Sequence, residues 1–399
     1  MTASPPRARI IVTKPLIARY IMTTRVNGTS AADFLREYSY DNLILSGRGG
    51  NDTLQGSYGN DRVFGGIGND TIYVSTGRDD LYGGAGNDTY IADSSANGFS
   101  VSVHEDAAGG VDTFIIRTSL VWGSTPDNVE RVLIEADVLR FEGNDADNVI
   151  DASTRYNSMT ISGHGGNDRI FGTSDHDIIN GGSGADTMSG GAGYDTYYVD
   201  NLRDVILESA SSSDTDQVYS TVSFTLNQGV EELALLGAAR NGTGNAQDNS
   251  IYGNGLANVL VGRGGDDRLG GGAANDSIDG GDGDDVLDGG LGRDILTGGG
   301  GADVFVFQTR GSGSSRATAD VIRDFRSADL IDLTSADANL QQADIQQFTF
   351  IGANEFHDRA GELRFSGGYL MADRNGDGAA DFFIAVTGSL ADVRDSLLL

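Results

Sequence analysis

Aspartate returns in this chain every nine residues, and that spacing is the chemistry to explain first. In a run of nonapeptides opening at Gly47, the sixth residue is Asp52, Asp61, Asp70, Asp79 and Asp88. A second run from Gly163 places Asp168, Asp177, Asp186 and Asp195 there, and a third from Gly244 places Asn249, Asn258, Asp267, Asp276, Asp285, Asp294 and Asp303. Carboxylates are hard oxygen donors. Brought together by a repeating backbone, they suit Ca²⁺, which collects about six to eight oxygen ligands from side chains and carbonyls.

The other repeat positions say what must hold those carboxylates. Position one is Gly in fifteen of sixteen repeats, Val74 being the exception, and position eight is apolar in all sixteen. Six residues that reverse direction and bring carbonyls close to an ion need the backbone freedom of glycine. The last three, with an apolar residue in the middle, make a minimal strand with one face turned inward. A flexible Gly/Asp linker would not keep that apolar residue. Ordering nine residues costs roughly 1–2 kcal/mol each, while one buried Leu or Ile returns only about 1.5–3 kcal/mol. The repeats are therefore expected to stay disordered until cations bind.

These nonapeptides resemble the RTX calcium-binding repeat, Gly-Gly-x-Gly-x-Asp-x-apolar-x. The resemblance implies a parallel β-roll in which two nonapeptides make one coil, so that loops two repeats apart stack and share an ion. On that pattern the pairs are Asp52/Asp70, Asp61/Asp79, Asp70/Asp88, Asp168/Asp186, Asp177/Asp195, Asp267/Asp285, Asp276/Asp294 and Asp285/Asp303, or about eight strong sites. The fold class implied is all-β, a calcium-bound solenoid in three repeat blocks with a β-rich C-terminal cap.

Composition agrees with a cation-dependent fold. The 399 residues include 59 Gly, 4 Pro and no Cys, with a formal net charge of −31. Such a charge opposes compaction unless cations bind, and it argues against nucleic acid as a partner. Disulfides and thiolate metal sites are excluded. No run of about 18 apolar residues suggests a membrane span. Near the start, Ile10–Val12 and Tyr20–Met22 are interrupted by Lys14, Pro15 and Arg19, which argues against a cleavable signal peptide.

Between the blocks the chain looks duplicated. GGAGNDTY from Gly83 answers GGAGYDTY from Gly190, Val129–Ile134 answers Val230–Leu235, and Asp147–Ile150 answers Asp248–Ile251. The reading by segments is an N-terminal segment 1–46, repeat block one at 47–91, a metal-free β-rich insert at 92–162 and block two at 163–198. A second metal-free insert at 199–243, block three at 244–306 and a C-terminal domain at 307–399 complete it. For residues 1–46 an irregular cap, an opening strand pair and a short interaction segment remain open.

From Thr318 glycine thins and apolar residues gather. Asp320–Phe325, Leu330–Leu333 and Gly361–Phe365 are similar to the C-terminal domain that follows the roll in serralysin-type proteases, and a solenoid needs such a cap. Within it Asp373, Asn375, Asp377 and Asp381 stand at places 1, 3, 5 and 9 of an EF-hand-like loop, with Gly378 at place 6 and Ile384 instead of Glu at place 12. That is a separate, weaker calcium candidate. Asp395–Leu399 resembles the acidic-then-apolar address of type I secretion, expected to contribute little to the core.

Catalysis finds little support. The protease motif His-Glu-x-x-His and a Gly-x-Ser-x-Gly elbow are absent, and His104, His164, His176 and His357 are scattered. Arg316, Arg323 and Arg326 are expected to pair with Asp320 and Asp324. The sequence reading is thus a non-enzymatic, extracellular calcium-binding protein with a structural, surface or matrix role. Its partners are calcium ions, type I secretion machinery and cell-surface or matrix polysaccharide. The alternative is an extracellular enzyme or polysaccharide-acting protein built on the same scaffold.

Overall fold

The computed structural model describes residues 23–93, 100–106, 109–118, 124–209, 214–308, 313–342 and 344–399. Arg7, Arg9, Arg19 and the two apolar stretches near the start lie outside them. The chain forms two compact units, residues 1–195 with 203–206, and residues 196–202 with 207–399. Each is a β-solenoid.

In the first unit the three strand residues of each nonapeptide alternate between two faces, as a two-nonapeptide coil requires. One all-parallel sheet holds Thr24–Asn27, Leu43–Gly49, Arg62–Ile67, Arg78–Ala85 and Ser100–His104. The opposite sheet is ten-stranded and runs from Phe34–Arg36 through Thr53–Gln55, Thr71–Tyr73 and Thr89–Ala92 to Val205–Ile206. Identical repeat positions stand side by side, Leu54 against Ile72 and Ile72 against Tyr90. Residues 24–27 and 34–36 are strands at the edges of these two sheets.

The stretch between blocks one and two is part of the same sheet. Thr113–Ile116 and Arg131–Ile134 pair in parallel between Thr89–Ala92 and Val149–Asp151, with Phe114 beside Tyr90 and Val132 beside Phe114. The coil from Asp88 to Asp112 advances 24 residues where the one before it advances 18, and Thr89–Ala92 still pairs in register with Thr113–Ile116.

The second unit repeats the plan. Gln217–Ser220, Glu232–Leu235, Ser250–Tyr252, Arg268–Gly270, Val286–Asp288, Val304–Val306 and Leu330–Asp332 are successive parallel neighbours. On the facing sheet Ile295–Gly300 leads to Asp320–Ile322 and then to Phe382–Val386. There the rule changes. Phe382–Val386 pairs antiparallel with Tyr369–Asp373, which pairs antiparallel with Glu362–Ser366. Leu363, Leu370, Ile384 and Phe382 are buried beneath this hairpin, as a capped end needs.

All sixteen position-eight side chains, from Leu54 to Phe305, have 1% exposure or less. The strand-and-core logic of the repeat thus accounts for the interior. The C-terminal residues depart from expectation. Helix Leu390–Asp395 is closed by a capping box between Ser389 and Asp392, and Leu397–Leu398 then adds a parallel strand to Leu330–Asp332. Ile331 N–H donates to Ser396 O, and Leu333 N–H to Leu398 O, each at 2.8 Å. These residues belong to the sheet because strand Leu330–Asp332 would otherwise present unpaired peptide groups.

Glycine has distinct duties around one loop. Gly281 has φ +116°, and a Cβ there would strike Arg263 O, whereas Gly255 lies in open space without a left-handed φ. Gly281→Ala is therefore expected to lower the stability of the calcium-loaded protein by about 1–3 kcal/mol, and Gly255→Ala to stay within about 0.5 kcal/mol. Thermal unfolding in excess calcium checks the contrast, and equal shifts would refute it.

Candidate metal centre

The loop Gly280–Asp285 shows how a repeat builds an oxygen cage. Asp285 is fully buried ahead of strand Val286–Asp288. Its Oδ1 accepts the Asp267 N–H from one coil earlier at 2.8 Å. The other oxygen, Oδ2, is buried and makes no hydrogen bond. A Cβ on Gly280 would collide with that oxygen and lie 2.6 Å from Gly298 O, the carbonyl of the next stacked loop. Position one must be Gly because a carboxylate oxygen and a neighbouring carbonyl converge on the same small space.

The arrangement recurs. Oδ2 of Asp52, Asp70, Asp88, Asp168, Asp267, Asp276 and Asp294 is also buried without a partner, and each Oδ1 is tied to the preceding coil or its equivalent. An orphaned buried oxygen is costly. A hard cation held between it and the converging carbonyls would satisfy both, so the donor set fits Ca²⁺. Burial, as the largest cause, pushes Asp168, Asp267 and Asp276 up to about 7, and Asp70, Asp88, Asp285, Asp294 and Asp303 up to about 6.

Other loops close on themselves. Ser57 N–H donates to Asp61 Oδ2 at 2.7 Å, Thr173 N–H to Asp177 Oδ2 at 2.5 Å, and the Ser75 hydroxyl to Asp79 Oδ2 at 2.7 Å. Asn245 and Asn254 N–H groups do the same for the Asn249 and Asn258 amide oxygens. The difference lies in position two. In the loops with orphaned oxygens this residue has a left-handed φ, and it is not always Gly: Arg48 has +79°, His164 +76° and Arg263 +83°. That conformation turns the peptide away from the carboxylate, at some backbone strain. Ser57, Ser75, Thr173, Asn245 and Asn254 are not left-handed, and their loops are closed by hydrogen bonds.

Several acids take the position-six role without lying in a recognisable nonapeptide. Asp112 Oδ1 accepts Asp88 N–H, Asp204 accepts Asp186 N–H, Asp320 accepts Asp294 N–H and Asp329 accepts Asp303 N–H. Asp33 opens the series by donating its N–H to Asp52 Oδ1. Each is followed two residues later by a buried Leu, Phe or Ile. That Asp-x-apolar signal was available once the glycines were set aside.

The EF-hand-like loop is not gathered into a cage. It is the turn of the antiparallel hairpin, and Asp373 spends both oxygens on Gly376 and Gly378 N–H groups, at 2.6 and 2.8 Å. Asn375 and Asp377 accept the N–H two residues on, and Asp381 accepts Arg374 N–H. Local turn bonds have taken the donors' place. Among the described residues, the group of three close carboxylates is instead Asp88, Glu105 and Asp112.

The histidines stay apart, His104 on Tyr82, His164 on Glu142, His176 against Tyr194 and His357 on Glu362. The arginine cluster is also looser than expected. Asp324 accepts Gly298 and Gly299 N–H groups at 2.9 Å and meets only the margin of Arg326 at 3.9 Å, while Arg316 lies over Tyr369.

A pH dependence follows. A carboxyl whose folded pKa is raised favours the protonated fold. Without calcium its contribution to stability is present below the unfolded value of roughly 4 and is lost as pH rises through about 6–7. Calcium needs the anion, so its affinity should fall as pH drops through that same window, with protons released on binding. Calcium titrations at pH 5.5 and 8 in two buffers of different ionisation enthalpy measure both effects, and an isotherm independent of pH would refute the assignment.

Comparison with known families agrees with this geometry. The RTX calcium-binding nonapeptide repeat (4 copies) matches residues 44–72, 64–97 and 162–197. Peptidase M10 serralysin C terminal matches residues 242–398, which span the third repeat block, the hairpin and the last strand. No curated protein matches the chain. A roll of buried aspartates and glycine-rich turns thus carries RTX calcium-binding nonapeptide repeats and a serralysin-type C-terminal domain.

Proposed function

We propose that the chain is a secreted structural or surface protein whose roll is assembled by calcium outside the cell, after export by type I machinery. The observation that carries the reading is the row of buried Oδ2 atoms lacking a hydrogen bond, which at Asp52, Asp70, Asp168, Asp267, Asp276 and Asp285 share their space with a glycine carbonyl of the next coil. Without a cation those oxygens repel one another and oppose folding. The serralysin-type C-terminal match supports the export route.

The calcium ligands we assign first are Asp52, Asp70, Asp88, Asp168, Asp267, Asp276, Asp285 and Asp294. Asp186, Asp195 and Asp303 join them because Gly182, Gly191 and Gly299 at position two share the left-handed φ. Asp61, Asp79 and Asp177 fill last, since an ion there must displace a protein hydrogen bond. The Asp373 turn is left out of the set for the same reason.

Two measurements test this. Chelated protein should lose most of its β signal and regain it cooperatively at roughly 10⁻⁴–10⁻³ M Ca²⁺, the range of extracellular modules. Full β signal and an unchanged melting temperature in chelator would overturn the reading. Within the folded protein, Asp70→Ala should lower the number of calcium ions bound at limiting calcium, counted by metal analysis, while Asp61→Ala should leave that number unchanged. Equal losses would refute the division by position two.

A further inference from the structure

The first repeat block ends in a cage that the repeats themselves do not build. In an ordinary open loop, the space beside the first glycine is shared by its own aspartate and a carbonyl from the next coil, as Gly65 shares it with Asp70 Oδ2 and Gly83 O. At Gly83 a side chain stands in that space. Glu105, from the stretch after the block, reaches into the same place. A Cβ on Gly83 would meet Glu105 Oε1 and Asp88 Oδ2, with Tyr90 Oη 2.6 Å away.

Asp112 completes the group. One carboxylate oxygen each from Asp88, Glu105 and Asp112 lie within 4.8 Å of one another. Asp88 and Asp112 are 1% exposed and Glu105 9%. Oδ1 of Asp88 and of Asp112 is used by the N–H of Asp70 and of Asp88, and Oδ2 of both is buried without a partner. Glu105 is held in place from several sides. It accepts from the Tyr90 hydroxyl and from Gly84 N–H, and Asn128 Nδ2 holds its backbone carbonyl at 2.8 Å.

We propose that Asp88, Glu105 and Asp112 bind a calcium ion of their own, a terminal site that closes the row of ions in the first block. Three carboxylates meet one divalent ion here, where a repeat loop offers fewer acids and more carbonyls, so this site binds more tightly than its neighbours. The wide, mixed oxygen set favours Ca²⁺ over Mg²⁺, which demands near-octahedral geometry and keeps its water. The Tyr–Glu contact recurs. In the second unit the Tyr197 hydroxyl donates to Glu208, and Tyr197 ends the GGAGYDTY that answers the GGAGNDTY ending at Tyr90.

The inference rests on the calcium reading above, and its test separates the two. Whole protein and Glu105→Gln are compared by calcium titration and metal analysis, with Asp285→Ala as a control in a repeat loop. Glu105→Gln keeps the shape and a polar partner for Tyr90 but removes the charge. It should lose one calcium per chain and the tightest phase of the isotherm, while the remaining ions bind as before. Should that variant not refold, Glu105→Asp keeps the charge on a shorter arm and should weaken the tight phase roughly tenfold or more. An unchanged count and isotherm in the variant that folds would overturn the site and leave the repeat ions standing. A destabilisation equal in chelator and in calcium would likewise overturn it, because it would make Glu105 only a hydrogen-bond partner of Tyr90. Wild-type protein that binds no calcium would overturn the broader reading instead.

Discussion

A buried carboxylate with one satisfied oxygen and one unsatisfied oxygen governs this fold. The satisfied atom ties each coil to the one before it, as Asp285 does with the Asp267 peptide. The unsatisfied atom makes the coil depend on something the polypeptide does not contain. Both atoms sit on the same residue, so packing and ion binding cannot be separated. A core of single Leu, Ile or Val side chains per repeat is too thin to hold such a structure alone. The backbone ladder and the ion must act together.

Position two decides how far that dependence extends. Where its backbone is left-handed, the loop stays open to a cation; where Ser, Thr or Asn sits there with ordinary geometry, a hydrogen bond closes it. Arg48, His164 and Arg263 accept a conformation that glycine would adopt at less cost. Along the first block the two kinds of loop are sorted by face, open at Asp52, Asp70 and Asp88 and closed at Asp61 and Asp79. One flank of the first block thus carries the open loops, and the other is closed by the protein's own hydrogen bonds.

Positions one, six and eight were legible because each obeys a rule that residue type alone reveals: no room for Cβ, a hard oxygen, an apolar centre. Position two was not, since Arg48 and Ser57 differ in backbone handedness, which their side chains do not announce. Asp112, Asp320 and Asp329 escaped notice because their loops lack the glycines, although the short Asp-x-apolar signal was present. The spacing of the Asp373 loop matches a calcium loop, while the hairpin turn that gives its carboxylate two backbone N–H partners is not announced by residue type. Leu397–Leu398 looked like an address, and only the exposed edge of Leu330–Asp332 could show that it had a strand to pair with.

Alternation between faces gives the roll a parity. Strands Thr53–Gln55 and Thr71–Tyr73 are neighbours in one sheet, while Arg62–Ile67, between them in sequence, lies in the other. Losing or gaining two nonapeptides leaves every later loop on its own flank. A change of one nonapeptide would send all of them across, exchanging open and closed loops along the remaining coils of the block. Lengthening within one coil, as between Asp88 and Asp112, carries no such penalty. The chain is therefore free to vary in loop length and in whole coils, and is barred from varying by halves.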